Sequence, residues 1–319
     1  MNSSNETSYH TLNMVKTSVY LTDFAVTAVC CHAIINTVQH ELELKREARF
    51  ILLGQHLIYA SIYFALGTLT NGFRLFSINS PRILCWILFT MQVTFAQCIM
   101  LTLTLMSLNT CLAICWPLRY NSLVDSAKNK ITTVMWILAV QNPLWSIIYQ
   151  SLNVSFANII EKDNSCPSPM NGVASRYVGI AFVLLCFILI VLCYCLIYRE
   201  GKRAGYFVTS NVQARKTIFI HGVQLSFFIV PVLITIGMGK KHSLTALSLI
   251  NTVIFSVAQC LSPVVYGLRC KELRNKLTKT KFCCCTFKIG KRNNYAFQQD
   301  VNLVTAPVTD AHSSQVCIP

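Results

Sequence analysis

Seven stretches of about 20 apolar residues recur along this chain, each long enough to cross a ~30 Å hydrocarbon layer as a helix. They run Thr17–Val38, Phe50–Phe73, Ile83–Cys115, Ile131–Gln150, Tyr177–Tyr198, Thr217–Gly237 and Leu244–Leu268. Lipid offers no partner for backbone N–H and C=O groups, so such stretches must satisfy them internally, as helices. The two-residue alternation of a barrel strand is absent. The expected fold class is therefore all-α, a seven-transmembrane helix bundle. The short connections leave no room for a soluble domain between spans, and no transporter-type internal repeat is visible. Thr, Ser, Asn and Gln within the second, third and seventh spans mark helices that face the bundle interior.

Only 12% of the 319 residues are charged, yet the net charge is +15. In a soluble protein this would suggest a polyanion partner. Here the basic residues sort by side of the membrane. With the N-terminus outside, the outer segments hold Lys16, Arg74, Arg82, Lys162, Arg176, Lys240 and Lys241, and every other Lys and Arg falls on the inner side. That is the positive-inside pattern, so the lipid bilayer is the implied partner and nucleic acid is not needed. The sequons at Asn2, Asn5 and Asn153 all lie outside in this topology, where glycosylation occurs. The implied location is the plasma membrane, multi-pass, with an extracellular N-terminus. Residues 1–16 read as that polar N-terminus, 17–269 as the bundle, 270–282 as a membrane-surface helix and 283–319 as a disordered cytoplasmic tail.

The surface helix rests on Lys271–Phe282, where Leu273 and Leu277 lie one turn apart among basic residues. Cys283, Cys284 and Cys285 follow it and read either as palmitoylation sites or as unmodified thiols. Cys85 and Cys166 both face the oxidising side and either form a disulfide or remain two buried thiols.

Enzyme signatures are missing: there is no zinc-protease His-Glu box, no phosphate loop and no nucleophile elbow, and no cofactor is implied. His32, His56 and His221 lie on three different spans and read as interhelical hydrogen-bonding residues rather than metal ligands. Asp23 is the one acid within a span, where a charge marks a candidate functional site. Counted from Thr17 it lies near the outer surface, as a ligand contact or as a solvated or Lys-paired carboxylate.

Four segments carry a family resemblance. Met106–Tyr120, ending Ala113-Ile-Cys-x-Pro-Leu-Arg-Tyr120, resembles the close of the third helix in odorant receptors. Ala214-Arg-Lys-Thr217 with His221 resembles the start of their sixth helix, and Ser262-Pro263 through Tyr266 to Leu273 the end of the seventh. Cys85 with Cys166, and Trp136, complete the pattern. The chain thus resembles rhodopsin-like G-protein-coupled receptors of the odorant type, most nearly those of fish.

The resemblance implies a receptor that binds a small odorant between its helices and activates a heterotrimeric G protein. Asn109-Thr110-Cys111 stand where the family has an acid–Arg–Tyr triplet, so the switch arginine is replaced by Thr110. The acid expected in the second span is missing as well, and together these departures imply no sodium-type allosteric site and an altered switch. Ser262 and Pro263 stand for the family's Asn-Pro. Pro263 removes a backbone hydrogen bond and kinks the seventh helix, while Tyr266 and Tyr194 either exchange partners when the sixth helix moves or are structural interface tyrosines. Arg215 and Lys216 face the G protein or serve only as inner-side anchors. For the ligand pocket, Cys85 sets the depth. Gln92 lies seven residues on, about 10 Å deeper, followed by Ala96 and Gln97. Phe227, Phe228 and Pro231 supply the sixth-helix wall, and Asn251, Thr252 and Phe255 the seventh, the alternative for each pocket residue being a lipid-facing or core-packing role. An amide at Gln92, where amine receptors carry an acid, points to a small neutral or weakly polar ligand. Thr110 also supports an alternative, a non-signalling seven-helix binding protein. A transporter or channel is disfavoured by spans holding a single acid and no base.

Overall fold

The computed structural model describes residues 3–41, 47–163, 166, 173–203, 226, 229–234 and 249–260. In chain order the elements are α1 (Ser3–His40), α2 (Ala48–Leu75), β1 (Ser80–Pro81), α3 (Arg82–Cys115), α4 (Pro117–Asn153), α5 (Phe156–Ile160), β2 (Lys162–Asp163) and α6 (Val173–Arg203). Two further helical segments follow, α7 (229–234) and α8 (Leu249–Cys260). Five helices are long and apolar enough to cross a membrane: His10–His40 of α1, α2, α3, Lys130–Asn153 of α4 and Ser175–Arg203 of α6. These carry the first five expected spans. The sixth and seventh are represented by α7 and α8, and the proposed surface helix at 270–282 and tail at 283–319 lie outside the described residues.

Two helices are longer than their apolar stretches. α1 begins at Ser3, fourteen residues before Thr17, because no glycine or proline occurs ahead of Gly54 to end it. The segment 1–16, expected to be a separate polar terminus, is therefore largely helix. Likewise α4 starts at Pro117, not near Ile131. Proline at the first helical position loses no hydrogen bond, and nothing from Leu118 to Asn142 interrupts the helix. The same proline ends α3, since the residue before proline is pushed out of the helical region. Trp116 accordingly sits at φ −135°, ψ 59° and caps both helices.

Buried positions on α1 recur at Asp23, Thr27, Cys31, Ile34 and Thr37, the three- and four-residue steps of one helix face. This face packs on α2, α2 packs on α3, and α3 is the central helix, touching α4 and α6 as well. The main core joins Phe64 of α2, Ile99 and Leu103 of α3, Met135 and Ala139 of α4, Ile190 of α6 and Ile229 of α7. Tyr59, Phe95 and Trp136 meet there edge-on, with the Trp136 ring 5.6 Å from Tyr59 and 6.0 Å from Phe95. Aromatic pairs of this kind contribute about 0.5–1.5 kcal/mol beyond their buried area.

The outer surface reverses the usual distribution. Ile137 and Trp145 of α4 and Leu185, Ile188 and Leu192 of α6 are exposed, whereas Thr27, His56, Thr102, Ser107 and Gln259 are buried. A helix bundle dissolved in hydrocarbon has no reason to hide apolar side chains and every reason to hide polar ones.

At one end of the bundle, β1 and β2 pair antiparallel, Ser80 with Asp163 and Pro81 with Lys162. Arg82 extends this contact: its N–H donates to the Glu161 carbonyl at 3.2 Å, and its guanidinium pairs with the Glu161 carboxylate at 3.3 Å. Cys85 and Cys166 are joined by a disulfide, and Arg74 donates to the Cys166 carbonyl at 2.9 Å. The α4–α6 connection is thereby fastened to the ends of both α2 and α3.

Candidate functional site: a polar seam among the first, second, third and seventh helices

The seam begins at a glycine. A Cβ on Gly67 of α2 would stand 2.3 Å from Cδ1 of Tyr20 and 2.9 Å from Nε2 of Gln92. Only glycine lets the α1 tyrosine ring and the α3 amide both approach the α2 backbone this closely. Tyr20 then meets Tyr63 of α2, hydroxyl to hydroxyl, at 3.2 Å. The Gln92 amide lies beside Tyr63, and Thr70 donates to Gln92 Oε1 at 3.4 Å. Finally the Tyr63 ring packs edge-on against Phe255 of α8, 5.7 Å between centroids. Four helices therefore converge on Tyr63, seven residues of α3 below the disulfide.

Of the expected pocket residues, Gln92 and Phe255 are brought together through Tyr63. Asn251 and Pro231 form a second pair: the Asn251 amide donates to the Pro231 carbonyl at 2.9 Å and ties α8 to α7. Gln97 is buried, and its Oε1 has no hydrogen-bond partner. Ala96 and Thr252 are half-buried. Phe227 and Phe228 lie outside the described residues. Sequence reasoning missed Tyr20, Tyr63, Gly67 and Thr70. A Tyr–Tyr meeting between helices leaves no local signature, and Gly67 reads as an ordinary small residue until its neighbours are known.

Asp23 is not near the outer surface. It lies one turn beyond Tyr20, which meets Gln92 at Gly67 two turns below the disulfide, and it is 3% exposed. Its Oδ1 accepts from the Ser256 hydroxyl at 2.7 Å and from the Cys260 thiol at 3.2 Å, both on α8. A solvated carboxylate is thus excluded. Of the histidines, His56 makes the interhelical bond expected of it, Nδ1 to Thr102 Oγ1 at 3.1 Å. His32 is exposed on the outside of α1, and His221 lies outside the described residues.

At the other end of α3, the Thr110 hydroxyl donates to the Met106 carbonyl of its own helix at 2.9 Å. Asn109 accepts from the Tyr120 hydroxyl of α4 at 3.0 Å. Burial pushes the Tyr120 phenol up, against the opposing pull of that hydrogen bond. Cys111 is buried against Cys115, 3.8 Å between sulfurs, and against Cys193 of α6. Tyr194 packs in the same place and also reaches the main core. Arg215, Lys216, Ser262, Pro263 and Tyr266 lie outside the described residues, as do Asn2, Cys283, Cys284 and Cys285. Asn5 lies in the first turn of α1, and Asn153 is exposed at the end of α4. Among the described residues no group of three or more His, Cys, Asp or Glu side chains is arranged to hold a metal ion.

A helical bundle with lipid-compatible flanks, a disulfide from the third helix to the connection after the fourth, and a polar seam inside it has the form of a seven-helix receptor. Residues 33–266 match the model of the 7 transmembrane receptor (rhodopsin family), and the chain belongs to that family. It is a family of signalling receptors, not enzymes. Two relatives stand out. The chain is 29% identical to the human "Probable G-protein coupled receptor 148" over 216 residues, 64% of this chain and 62% of that protein. It is 26% identical to the zebrafish "Odorant receptor 131-2" over 263 residues, 76% of this chain and 78% of that protein.

Proposed function

We propose that this receptor detects a small, neutral or weakly polar odorant between the outer halves of its helices and relays binding to a heterotrimeric G protein. The observation that carries the reading is Tyr63, which touches Gln92 of α3, Tyr20 of α1 and Phe255 of α8. A ligand that competes for Tyr63 or Gln92 changes how four helices hold one another, and so favours one packing of the bundle over another. The likeness to a zebrafish odorant receptor supports the ligand class. The disulfide supports a topology with that end of the bundle in an oxidising compartment. The N-terminus then lies outside the plasma membrane, with Asn2, Asn5 and Asn153 on the side where glycans are added. The inner end supplies Asn109, Thr110, Cys111 and Tyr194, with Arg215, Lys216, Ser262, Pro263 and Tyr266, as the switch and G-protein surface. Cys283, Cys284 and Cys285 anchor the chain there as acylation sites.

A second reading is a binding protein without coupling. It is favoured by Thr110, whose hydroxyl is turned back onto its own helix where a long cationic side chain is the family's rule. The test is cAMP accumulation in cells expressing the receptor with an olfactory-type stimulatory G protein, against a panel of water-soluble odorants, with Thr110→Arg alongside. A wild-type response weakened by Gln92→Leu supports the proposal. A response from Thr110→Arg alone, at equal surface levels, replaces it with the second reading.

A further inference from the structure

Three thiols meet where α3 and α6 come together, at the end of the bundle away from the Cys85–Cys166 disulfide. Cys111 lies about 39 Å along the axis of α3 from Cys85, farther than a ~30 Å hydrocarbon layer is thick. The two groups of cysteines therefore stand on opposite sides of the membrane, and in the topology proposed above the second faces the reducing cytosol. Cys111 is 1% exposed and packs with Cys193 of α6, which is 7% exposed, and with Ile197. Cys115, the last residue of α3, is half-buried, and its sulfur stands 3.8 Å from that of Cys111. All three are free thiols. Filling apolar space asks for one small side chain at a time. Two thiols one turn apart on α3 with a third across the interface do more: each sulfur has another beside it that can attack it. The cluster also adjoins Thr110, the position at which the family's switch arginine is replaced.

We propose that Cys111, Cys115 and Cys193 form a peroxide-responsive thiol switch that reversibly ties α3 to α6. Cys115 is the least buried of the three and is the point of entry, with Cys111 as its resolving neighbour. The Cys115 thiolate attacks hydrogen peroxide and the O–O bond breaks. The products are the Cys115 sulfenic acid and hydroxide, which takes up the thiol proton and becomes water. The Cys111 sulfur then attacks the sulfenic sulfur. An S–S bond forms, the S–O bond breaks, and the hydroxyl leaves with the Cys111 proton as a second water. Cys193 next attacks the Cys111 sulfur, and Cys115 departs and recovers a proton from Cys193. In sum two thiols are oxidised to the Cys111–Cys193 disulfide and one peroxide is reduced to two waters. Cellular thiols reverse the step, so the bridge is transient, as sensing disulfides in a reducing compartment are. While it lasts, it favours the packing that holds the ends of α3 and α6 together.

The experiment uses the full-length receptor, purified in detergent after mild reduction and treated with hydrogen peroxide. Remaining thiols are alkylated with N-ethylmaleimide in denaturant, and proteolytic peptides are mapped by mass spectrometry with and without dithiothreitol. The expected product is a peptide pair joined through Cys111 and Cys193 that dithiothreitol separates. Cys115→Ser should slow its formation several-fold without abolishing it. Cys193→Ser should leave only a Cys111–Cys115 bridge, and it serves if Cys115→Ser does not yield folded protein. The oxidised wild type should unfold at a higher midpoint than the reduced one, and Cys193→Ser should lose that rise. A wild type whose Cys111 and Cys193 stay alkylated after peroxide overturns the proposal. So does formation at the wild-type rate in Cys115→Ser. Neither odorant nor G protein enters the assay, so its failure would leave the receptor reading standing.

Discussion

Replacing Gly67 with alanine should destabilise the receptor, although alanine is the better helix former. The new Cβ would stand 2.3 Å from Cδ1 and 2.5 Å from Cε1 of Tyr20. Non-bonded carbons settle near 3.5 Å, so the ring must retreat by about 1.2 Å. It has little room to do so, because it packs edge-on against Phe64, 5.9 Å between centroids, and its hydroxyl meets Tyr63. Overpacking of this size costs about 1–3 kcal/mol. Losing the tyrosine pair adds about 0.5–1.5 kcal/mol. The helix-propensity gain from glycine to alanine returns about 1 kcal/mol. The net loss is about 0.5–3.5 kcal/mol. The assay is thermal unfolding of purified wild type, Gly67→Ala, Tyr20→Ala and the double variant, read as a cycle. In the Tyr20→Ala background the obstructing ring is gone and only the flexible Gln92 amide, 2.9 Å from the new Cβ, remains, so Gly67→Ala should cost clearly less than in the wild type. The reasoning is refuted if Gly67→Ala alone matches or exceeds the wild-type midpoint. It is also refuted if the loss persists undiminished without Tyr20.

Cys85→Ser or Cys166→Ser should lower stability by about 2–5 kcal/mol, seen as reduced surface expression with recovery at lower growth temperature; equal wild-type and variant expression at all temperatures would count against a structural role. Tyr120→Phe should cost about 0.5–1.5 kcal/mol through the lost bond to Asn109. It should also flatten the alkaline limb of the stability profile. The folded-state phenol is raised above its ordinary value, so its contribution is complete below pH 10 and declines as pH rises above that toward the folded-state value. A wild-type and Tyr120→Phe pair with the same decline above pH 10 would contradict that assignment.

The membrane spans were legible because a 20-residue apolar run admits one physical solution, and the Cys85–Cys166 bridge because both cysteines fall on the oxidising side and the family resemblance pairs them. Helix ends were less legible. Hydropathy reports where lipid begins, whereas α1 runs on through polar residues that nothing interrupts and α4 starts at a proline, which is why Ser3 and Pro117 were not anticipated. The burial of Asp23 was likewise hidden, because it depends on Ser256 and Cys260 of α8 standing beside it. Partnerships were the least legible level. The sequence shows that Tyr20, Tyr63, Gln92 and Ser256 are polar groups in apolar helices, but which helix stands beside which is decided by packing. Gln92 was placed at the right depth, yet its engagement with α2 depends on the absence of a single methyl group at Gly67.

Trp116 is the whole connection between α3 and α4. Its N–H still bonds the Leu112 carbonyl at 3.0 Å, and its own carbonyl already accepts from Arg119 at 3.1 Å, so the corner is stitched on both sides. One residue has only two soft torsions, and both are held. The joint therefore works like a bell crank: a twist of α3 about its axis has no slack cord in which to dissipate and emerges as a sweep of the first turns of α4 at the end of the bundle away from the disulfide.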